Sequence, residues 1–452
     1  MKKILLSVAL LMGALTPVLG LNVYRGANFM DYGGKDVFKS SSSFLSADSM
    51  KETGLNTMVI PVTWFQNSTS ANQIYNKTNG WWQTPSDDAA GRIISYAKSI
   101  GLKTVIKLHV DVTNGASRTD IVPANFTIWW TNYRNAVMHY AALARDRNAD
   151  MFIIGTELTG VSTNQYTSYW TVLAREVKSV YSGLVSYSAN WDNFEKVGFW
   201  SELDLIGIDA YFPLLMGNMK VKNEIKEAWS FCRVIGSYYG KNWLQTLRNF
   251  SVSQKRNIVF TEIGYRSFSA DVPADSVLAK PWEYAVTAGH TDMEIQAKAY
   301  SAFIETFLRE DWFDGFFLWR WHPDPNAGGW NDSDFTPQNK PAAEVLKSLK
   351  NYDEDIRKDV LEIVEKPEKV DYIKGEPISF QFLSHEEGEM KLNIYNENYK
   401  KVYEKTEEFG DEEVKSVTIP YSSLKTKISR GLYFYKIEFN SFKTTGRFVI
   451  IK

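Results

Sequence analysis

The stretch Ile258-Val259-Phe260-Thr261-Glu262 is an apolar run that ends at a carboxylate. Short apolar runs without polar alternation are typical of strands that are buried on both faces, as in a parallel sheet. Eight runs of this kind occur in the first 350 residues, at 23–29, 57–62, 104–109, 151–157, 184–190, 205–210, 258–262 and 315–320. Their recurrence predicts eight parallel strands.

Segments with helical periodicity separate these runs, for example at residues 89–99 and 166–181. Eight strand-then-helix units predict the α/β class, as a (β/α)8 TIM barrel with insertions. A doubly wound sheet is the competing interpretation, and it is disfavoured because no glycine-rich phosphate loop follows the first strand. No internal repeat of about 20–50 residues is evident, which disfavours a solenoid or a propeller.

The composition of the chain changes near residue 350. All 15 tryptophans lie at or before Trp330, and residues 351–452 carry 17 Lys+Arg and 20 Asp+Glu. Alternating apolar and polar residues at 378–382, 390–395 and 431–437, and the final run at 447–451, are typical of short antiparallel strands. We therefore predict a barrel domain over 21–350, a linker over 351–364 and a C-terminal all-β sandwich module over 365–452.

The N-terminus has the pattern of a secretory signal peptide. Lys2 and Lys3 precede an apolar stretch over residues 4–15, and small residues near Gly20 predict cleavage before Leu21. An uncleaved anchor is the alternative. Because no later apolar segment reaches the roughly 18 residues that a membrane helix needs, we expect a secreted, extracellular protein without a membrane span in its mature form.

Charge and cysteine content argue against several classes of protein. The 51 Lys+Arg and 53 Asp+Glu give a net charge of −2, without the basic excess of a nucleic-acid-binding protein. Cys232 is the single cysteine, so an internal disulfide framework and a cysteine-based zinc site are excluded. The five histidines do not fall at metal-ligand spacing. We expect no metal and no cofactor, and the oligomeric state stays open.

Two of the eight runs end in a glutamate, Glu157 in the fourth and Glu262 in the seventh. Active sites of these barrels lie at the C-terminal ends of the strands, so the two carboxylates are predicted to face each other across the barrel mouth. A pair of carboxylates across a cleft is what glycosidic cleavage requires. The alternative is two independent glutamates, each in its own salt bridge.

Polar and aromatic residues at other strand ends suggest a sugar-binding site. Trp319 is expected to form the floor of the site or a lid over the core, and Tyr211 to bond the nucleophile or pack at the rim. His109 is predicted to contact a substrate hydroxyl, and the alternative is a buried histidine that does not touch the substrate. Asn190 and Asp209 are weaker candidates, and Asp209 can instead cap the loop to the next helix. Trp64 begins a ring-rich loop over 64–86 that suits polysaccharide subsites, although such rings also fasten loops to a barrel.

Several motifs together resemble glycoside hydrolase family 113, a family of retaining β-mannanases in the (β/α)8 glycosidase clan. They are Ile154-Gly155-Thr156-Glu157-Leu158, Thr261-Glu262-Ile263-Gly264-Tyr265-Arg266-Ser267, Phe317-Leu318-Trp319-Arg320-Trp321, and the segment 335–342. The resemblance implies that Glu157 is the acid/base, that Glu262 is the nucleophile, that Trp319 lies under the reacting sugar and that Tyr211 lies near the nucleophile. One residue departs from the wider clan, which places asparagine where this chain has Thr156.

The resemblance implies a secreted endo-β-1,4-mannanase that cleaves mannan or glucomannan with retention, by double displacement. Two alternatives remain open at this point. One is a retaining hydrolase of another β-linked glycan, such as β-glucan or xylan. The other is a non-catalytic protein that binds polysaccharide through the same rings.

Overall fold

The structure is a computed structural model, and each of its two compact units, residues 1–350 and 351–452, is described by itself. The described residues of the first unit are 23–30, 33–214, 221–232, 238, 240–270, 277–282, 289–308, 310–350. Those of the second are 351, 361–367, 369–371, 374–384, 387–396, 400–410, 413–419, 430–439 and 442–451. The predicted signal peptide, residues 1–20, lies outside the described residues.

Eight parallel strands of the first unit close into a barrel, as predicted. In chain order they are β1 Tyr24–Phe29, β2 Thr57–Gln66, β3 Lys103–Val112, β4 Met151–Thr156, β5 Leu184–Asn190, β6 Ile206–Asp209, β7 Ile258–Ile263 and β10 Phe313–Trp321. A short antiparallel pair, β8 Phe268–Ala270 and β9 Gly289–Thr291, intervenes after β7. Each barrel strand pairs with its neighbours in sequence, and β10 closes the barrel against β1.

Alpha-helices follow the barrel strands except β5, after which the described chain forms only two 3-10 turns, Phe194–Lys196 and Trp200–Glu202. The helices are α1 Ser41–Glu52, α2 Asp87–Ser99, α3 Phe126–Asp146, α4 Thr167–Val180, α5 Lys222–Ser230, α6 Trp243–Gln254, α7 Met293–Phe307 and α8 Pro341–Lys347. Side chains of Ser40, Ser86 and Asn125 accept backbone N–H bonds at the starts of α1, α2 and α3. Such caps satisfy donors that a helix leaves unpaired at its first turn, which sets where these helices begin.

The barrel interior changes from apolar to polar toward the C-terminal ends of the strands. Its lower part is a buried cluster to which β1–β4, β7 and β10 contribute, including Val59, Val105 and Val259. Because alternate residues of a strand share a face, Lys107 and His109 follow Val105 on the inner face of β3. Both are fully buried. The strands therefore deliver titratable side chains to the mouth of the barrel.

The second unit consists of two sheets that share one apolar core. Its strands are β11 Leu361–Glu365, β12 Lys369–Asp371, β13 Ile378–Ser384, β14 Gly388–Tyr395, β15 Lys401–Phe409, β16 Glu413–Ile419, β17 Gly431–Phe439 and β18 Phe442–Ile451. The sheet orders are β11-β13-β16 and β12-β18-β17-β14-β15, which is the predicted all-β architecture. Strand β11 occupies residues that the sequence assigned to the linker.

Among the described residues of the chain, no helix is long and apolar enough to cross a membrane.

Candidate active site

Glu157 is the first residue after β4 and has a left-handed backbone, with φ of 52°. A non-glycine residue adopts this conformation only where its surroundings hold it. Here its backbone N–H donates to Ser188 O of β5 at 2.7 Å. The neighbouring Thr156 is buried, and its hydroxyl donates to Leu108 O at 3.0 Å. The turn at the end of β4 thus directs the Glu157 carboxyl toward the cleft.

Glu262 reaches the same region from β7 through an irregularity in the strand pairing. The register of β6 and β7 shifts between Ile208, which pairs with Phe260, and Asp209, which pairs with Glu262. One extra residue, Thr261, is therefore accommodated on β7, as in a β-bulge. The shift lets both Thr261 and Glu262 contribute polar side chains to the barrel mouth.

Two donors contact the Glu262 carboxyl. Lys107 Nζ lies 2.5 Å from Glu262 Oε1, and Tyr211 donates its hydroxyl to Oε2 at 2.8 Å. Lys107 also lies 3.1 Å from Asp209 Oδ1, so one buried ammonium serves two buried carboxylates. Asp209 Oδ1 accepts further bonds from Ser188 at 2.6 Å and Thr261 at 2.9 Å. This network fixes the orientation of Glu262.

The Glu157 carboxyl has a different environment. Within the described part of the chain no side chain donates a hydrogen bond to it, and its nearest cation is Arg118, whose Nη1 is 4.0 Å from Oε2. Arg118 is itself held by Asp111 Oδ1, at 2.8 Å from Nε and 2.6 Å from Nη2. Burial, and then the negative charges of Asp209 and Glu262, raise the pKa of Glu157 to about 8.

The pKa of Glu262 is also raised, chiefly by burial and then by the charge of Asp209, while Lys107 and Arg118 oppose the increase. The hydrogen bonds from Lys107 and Tyr211 favour its ionised form, because both donors complete their bonds with a carboxylate. We infer that Glu262 is the first of the two glutamates to lose its proton. The site thus distinguishes two carboxyl groups that the sequence presents in similar strand-end positions.

The two glutamates line a cleft of about 700 Å³ at the barrel mouth. Aromatic side chains from five segments form much of its wall: Trp82, Trp191, Tyr211, Tyr238, Trp282, Trp319 and Phe335. Polar groups accompany them, among them Asp111, Arg118, Asn190 and Asp192. Planar rings mixed with hydrogen-bonding groups suit a sugar chain, whose C–H faces pack on rings while its hydroxyls need partners.

The structure brings three of the five predicted binding residues into this cleft. Trp319 lines it, 5% exposed, and its ring stacks on that of His109 with centroids 6.1 Å apart at 22°. Tyr211 lines it and bonds Glu262 as anticipated. Asn190 lines it too, and its Oδ1 is buried without a hydrogen-bond partner among the described residues.

The other two predicted binding residues are corrected. His109 is fully buried beside Trp319, with Nε2 3.9 Å from Glu262, rather than at the cleft surface. Burial lowers its pKa well below the usual value, so the ring is neutral. Trp64 lies outside the cleft, because its neighbour Thr63 pairs with the inward-facing His109 and strand faces alternate. Its indole N–H donates to Tyr140 of α3 at 3.0 Å.

Lys107 and Arg118 are the cationic site residues that sequence reasoning missed. Lys107 is a single lysine inside an apolar run, which was a usable signal, since a buried lysine needs a carboxylate partner. Arg118 lies in the loop after β3 and carried no distinguishing pattern. Among the described residues, no group of three or more His, Cys, Asp or Glu side chains is arranged to hold a metal ion.

Comparisons with known proteins agree with this architecture. The model of Glycoside Hydrolase Family 113 matches residues 28–340. A solved complex of a GH113 β-1,4-mannanase is similar with a TM-score of 0.61 and 22% identity, covering 73% of this chain and 99% of that one. The GH113 β-mannanase AaManA from Alicyclobacillus acidocaldarius, in complex with ManMIm, has a TM-score of 0.61 and 24% identity, covering 74% and 98%. No curated protein sequence matches the chain significantly.

Proposed function

The chain belongs to glycoside hydrolase family 113, and from that membership we propose that it is a retaining endo-β-1,4-mannanase acting on mannan or glucomannan. The observation that carries the catalytic assignment is the contrast between two glutamates in one cleft. Glu262 receives two hydrogen bonds, from Lys107 and Tyr211, whereas burial raises the pKa of Glu157 to about 8. Two titratable groups with environments that differ in this way suit an acid and a nucleophile.

In the first step Glu262 attacks the anomeric carbon as an ionised carboxylate. Glu157, protonated at neutral pH, gives its proton to the oxygen of the leaving sugar. The C–O glycosidic bond breaks as the bond to Glu262 Oε forms, and a glycosyl-enzyme ester results. Lys107 and Tyr211 hold the attacking carboxylate in one orientation, which reduces the entropic part of the barrier.

In the second step Glu157, now ionised, takes a proton from water as the water attacks the same carbon. The ester bond breaks and Glu262 is released as a carboxylate, so the configuration is inverted twice and retained overall. Trp319 supports the reacting sugar from below, and Asn190 lies on the cleft wall beside it. The Thr156 hydroxyl donates its proton to Leu108 O, so other residues of the cleft must accept hydrogen bonds from the sugar hydroxyls.

The mannan specificity rests on the family and on the two mannanases to which the chain is similar in fold. We also propose that the protein is exported, on the basis of the N-terminal pattern at residues 1–20. Fractionation of cells and medium followed by N-terminal sequencing tests this second proposal. A chain in the medium that begins at Leu21 supports it, and a chain that stays with the cells and keeps Lys2 and Lys3 contradicts it.

Product release from mannan, glucomannan, xylan and β-glucan tests the substrate assignment. Wild type is compared with Glu262→Ala and with Glu344→Ala, a control whose exposed carboxyl pairs with Lys347 on α8. We expect mannan oligosaccharides from wild type and from the control, and none from Glu262→Ala.

Each other outcome has a defined meaning. Cleavage of xylan or β-glucan alone, lost with Glu262, overturns the substrate and keeps the mechanism. Activity that survives in Glu262→Ala refutes the nucleophile assignment. A folded wild type that binds the polysaccharides without cleaving any of them refutes the enzymatic proposal.

A further inference from the structure

Trp81 and Trp82, which we call the β2 shelf, lie on the loop between β2 and α2. Trp82 lines the cleft and packs edge-on against Phe65, with ring centroids 5.1 Å apart at 87°. Phe65 is 1% exposed near the end of β2, so Trp82 rests on the barrel itself. Trp81 lies next to Trp82, with centroids 6.1 Å apart at 41°, and is 71% exposed. The shelf therefore starts in the cleft and continues into solvent.

Hydrogen bonds hold the loop that carries the β2 shelf. Lys77 and Thr84 are joined by two of them, at 2.8 and 2.9 Å, and Thr84 Oγ1 donates to Thr63 O of β2 at 2.6 Å. Gly80 turns the chain with φ of 83°, and Gln83 Nε2 donates to its carbonyl at 2.7 Å. The two rings are thus positioned before any ligand arrives, which lowers the ordering cost of binding.

A second pair of rings faces the β2 shelf from the other side of the barrel mouth. Trp191, after β5, and Trp282, after β7, stack with centroids 5.2 Å apart at 18°, and both line the cleft. In a closed barrel of eight strands β2 lies opposite β6, which is flanked by β5 and β7. The two pairs therefore face each other across a mouth that holds Glu157 and Glu262.

We propose that Trp81 forms a distal sugar-binding subsite, outside the cleft proper, for a β-1,4-linked hexopyranose chain. The inference rests on the proposed function and extends it to the substrate's length. The flat indole of Trp81 offers a face to the C–H side of a pyranose ring. Its 6.1 Å separation from Trp82 is close to the length of one sugar unit in such a chain, so the two indoles can support successive units.

This subsite has a consequence for chain length. A short oligosaccharide that spans Glu157 and Glu262 is held by the rings of the cleft and does not reach Trp81. A longer chain gains one more stacking contact once it extends past Trp82. With rings on both sides of the glutamates, the cleft accommodates sugars on either side of the bond that breaks, which is the arrangement of an endo-acting enzyme.

The test measures kcat/KM along a ladder of β-1,4-mannooligosaccharides for wild type, Trp81→Ala, Trp81→Phe and Trp330→Ala. Trp330 is a matched control, because it is 72% exposed, lies on a different loop and does not line the cleft. We expect Trp81→Ala to match wild type on short substrates and to lose about 2- to 12-fold beyond a threshold length, the value of one aromatic contact. Trp81→Phe keeps a flat ring and retains most of the gain, and Trp330→Ala shows no step.

Two results would overturn the inference while leaving the proposed function intact. One is a Trp81→Ala enzyme that follows wild type at every length. The other is a loss that is equal for short and long substrates, since that pattern reports a disturbed loop rather than a missing subsite. If wild type releases no oligosaccharide from the ladder or from mannan, the proposed function itself fails.

Discussion

Replacing Lys107 with methionine is predicted to move the acid limb of the pH–rate profile to higher pH and to destabilise the barrel. The Lys107 ammonium is fully buried, 2.5 Å from Glu262 and 3.1 Å from Asp209. Methionine preserves much of the apolar stem and removes the charge. Two buried carboxylates then lie side by side without their shared cation, which favours the protonated form of Glu262.

The magnitude follows from the contacts that are lost. An opposite charge this close favours the ionised form of a carboxyl, so the pKa of Glu262 should rise when Lys107 is replaced. Because attack requires the ionised carboxylate, kcat/KM on the acid limb should fall by about 10- to 1,000-fold and recover as the pH rises. Removing one partner of a buried ion pair costs about 3–5 kcal/mol of folding free energy.

The loss of stability has a predictable pH dependence. A carboxyl whose folded-state pKa is raised holds its proton more tightly in the folded state than in the unfolded state. The deficit of Lys107→Met is therefore greatest at high pH and shrinks as the pH falls through the raised pKa of Glu262. Urea unfolding at several pH values measures it alongside the kcat/KM profile on a soluble mannooligosaccharide.

Lys298→Met is the matched control, because Lys298 pairs with the exposed Glu294 on α7 at 2.8 Å. Exposed pairs contribute about 0–1 kcal/mol, so this variant should resemble wild type in both measurements. A Lys107→Met protein with the wild-type acid limb and wild-type stability would refute the idea that Lys107 holds Glu262 ionised.

Other variants probe the neighbouring contacts. Arg118→Met should raise the pKa of Glu157 further, because the charge of Arg118 opposes the rise in that pKa. The alkaline limb of the kcat/KM profile should then move upward from near pH 8, and an unchanged limb would contradict this role. Tyr211→Phe removes the 2.8 Å hydrogen bond to Glu262 and should lower kcat/KM by about 10- to 100-fold with little change in Tm. A decrease in kcat/KM of less than twofold would contradict the role of Tyr211 in holding Glu262. Trp64→Phe removes the hydrogen bond to Tyr140 and should lower the free energy of unfolding, measured with urea, by about 1 kcal/mol while leaving KM unchanged. A rise in KM without loss of stability would indicate that Trp64 contacts the substrate after all.

The barrel could be predicted from the sequence because its strands are buried on both faces. Most residues of each strand are apolar, and the eight runs recur at intervals that leave room for a helix. The two glutamates could be identified for the same reason, since each stands where such a run ends. Both signals are local in the sequence, and the resemblance to family 113 then implied which glutamate is the nucleophile and which is the acid/base.

What the sequence could not supply is which side chains share a face across the barrel. The role of Lys107 depends on its being brought to Glu262 and Asp209, which lie 155 and 102 residues away in the chain. Trp64 is one position along β2 from Thr63, which faces the barrel interior. Because successive side chains of a strand point to opposite faces, Trp64 points toward the helices instead. The sequence did not show which of the two faces Trp64 occupies, so it did not show whether the ring lines the cleft or packs on α3.

The most direct test of the central claim is the stereochemistry of the first product. Proton NMR during cleavage of a β-1,4-mannooligosaccharide records which anomer appears before mutarotation equalises the two. Attack by Glu262 followed by water, with Glu157 as acid and then base, predicts that the β-anomer appears first. If the α-anomer appears first, the reaction proceeds by a single displacement, and the assignment of Glu262 as a covalent nucleophile is wrong.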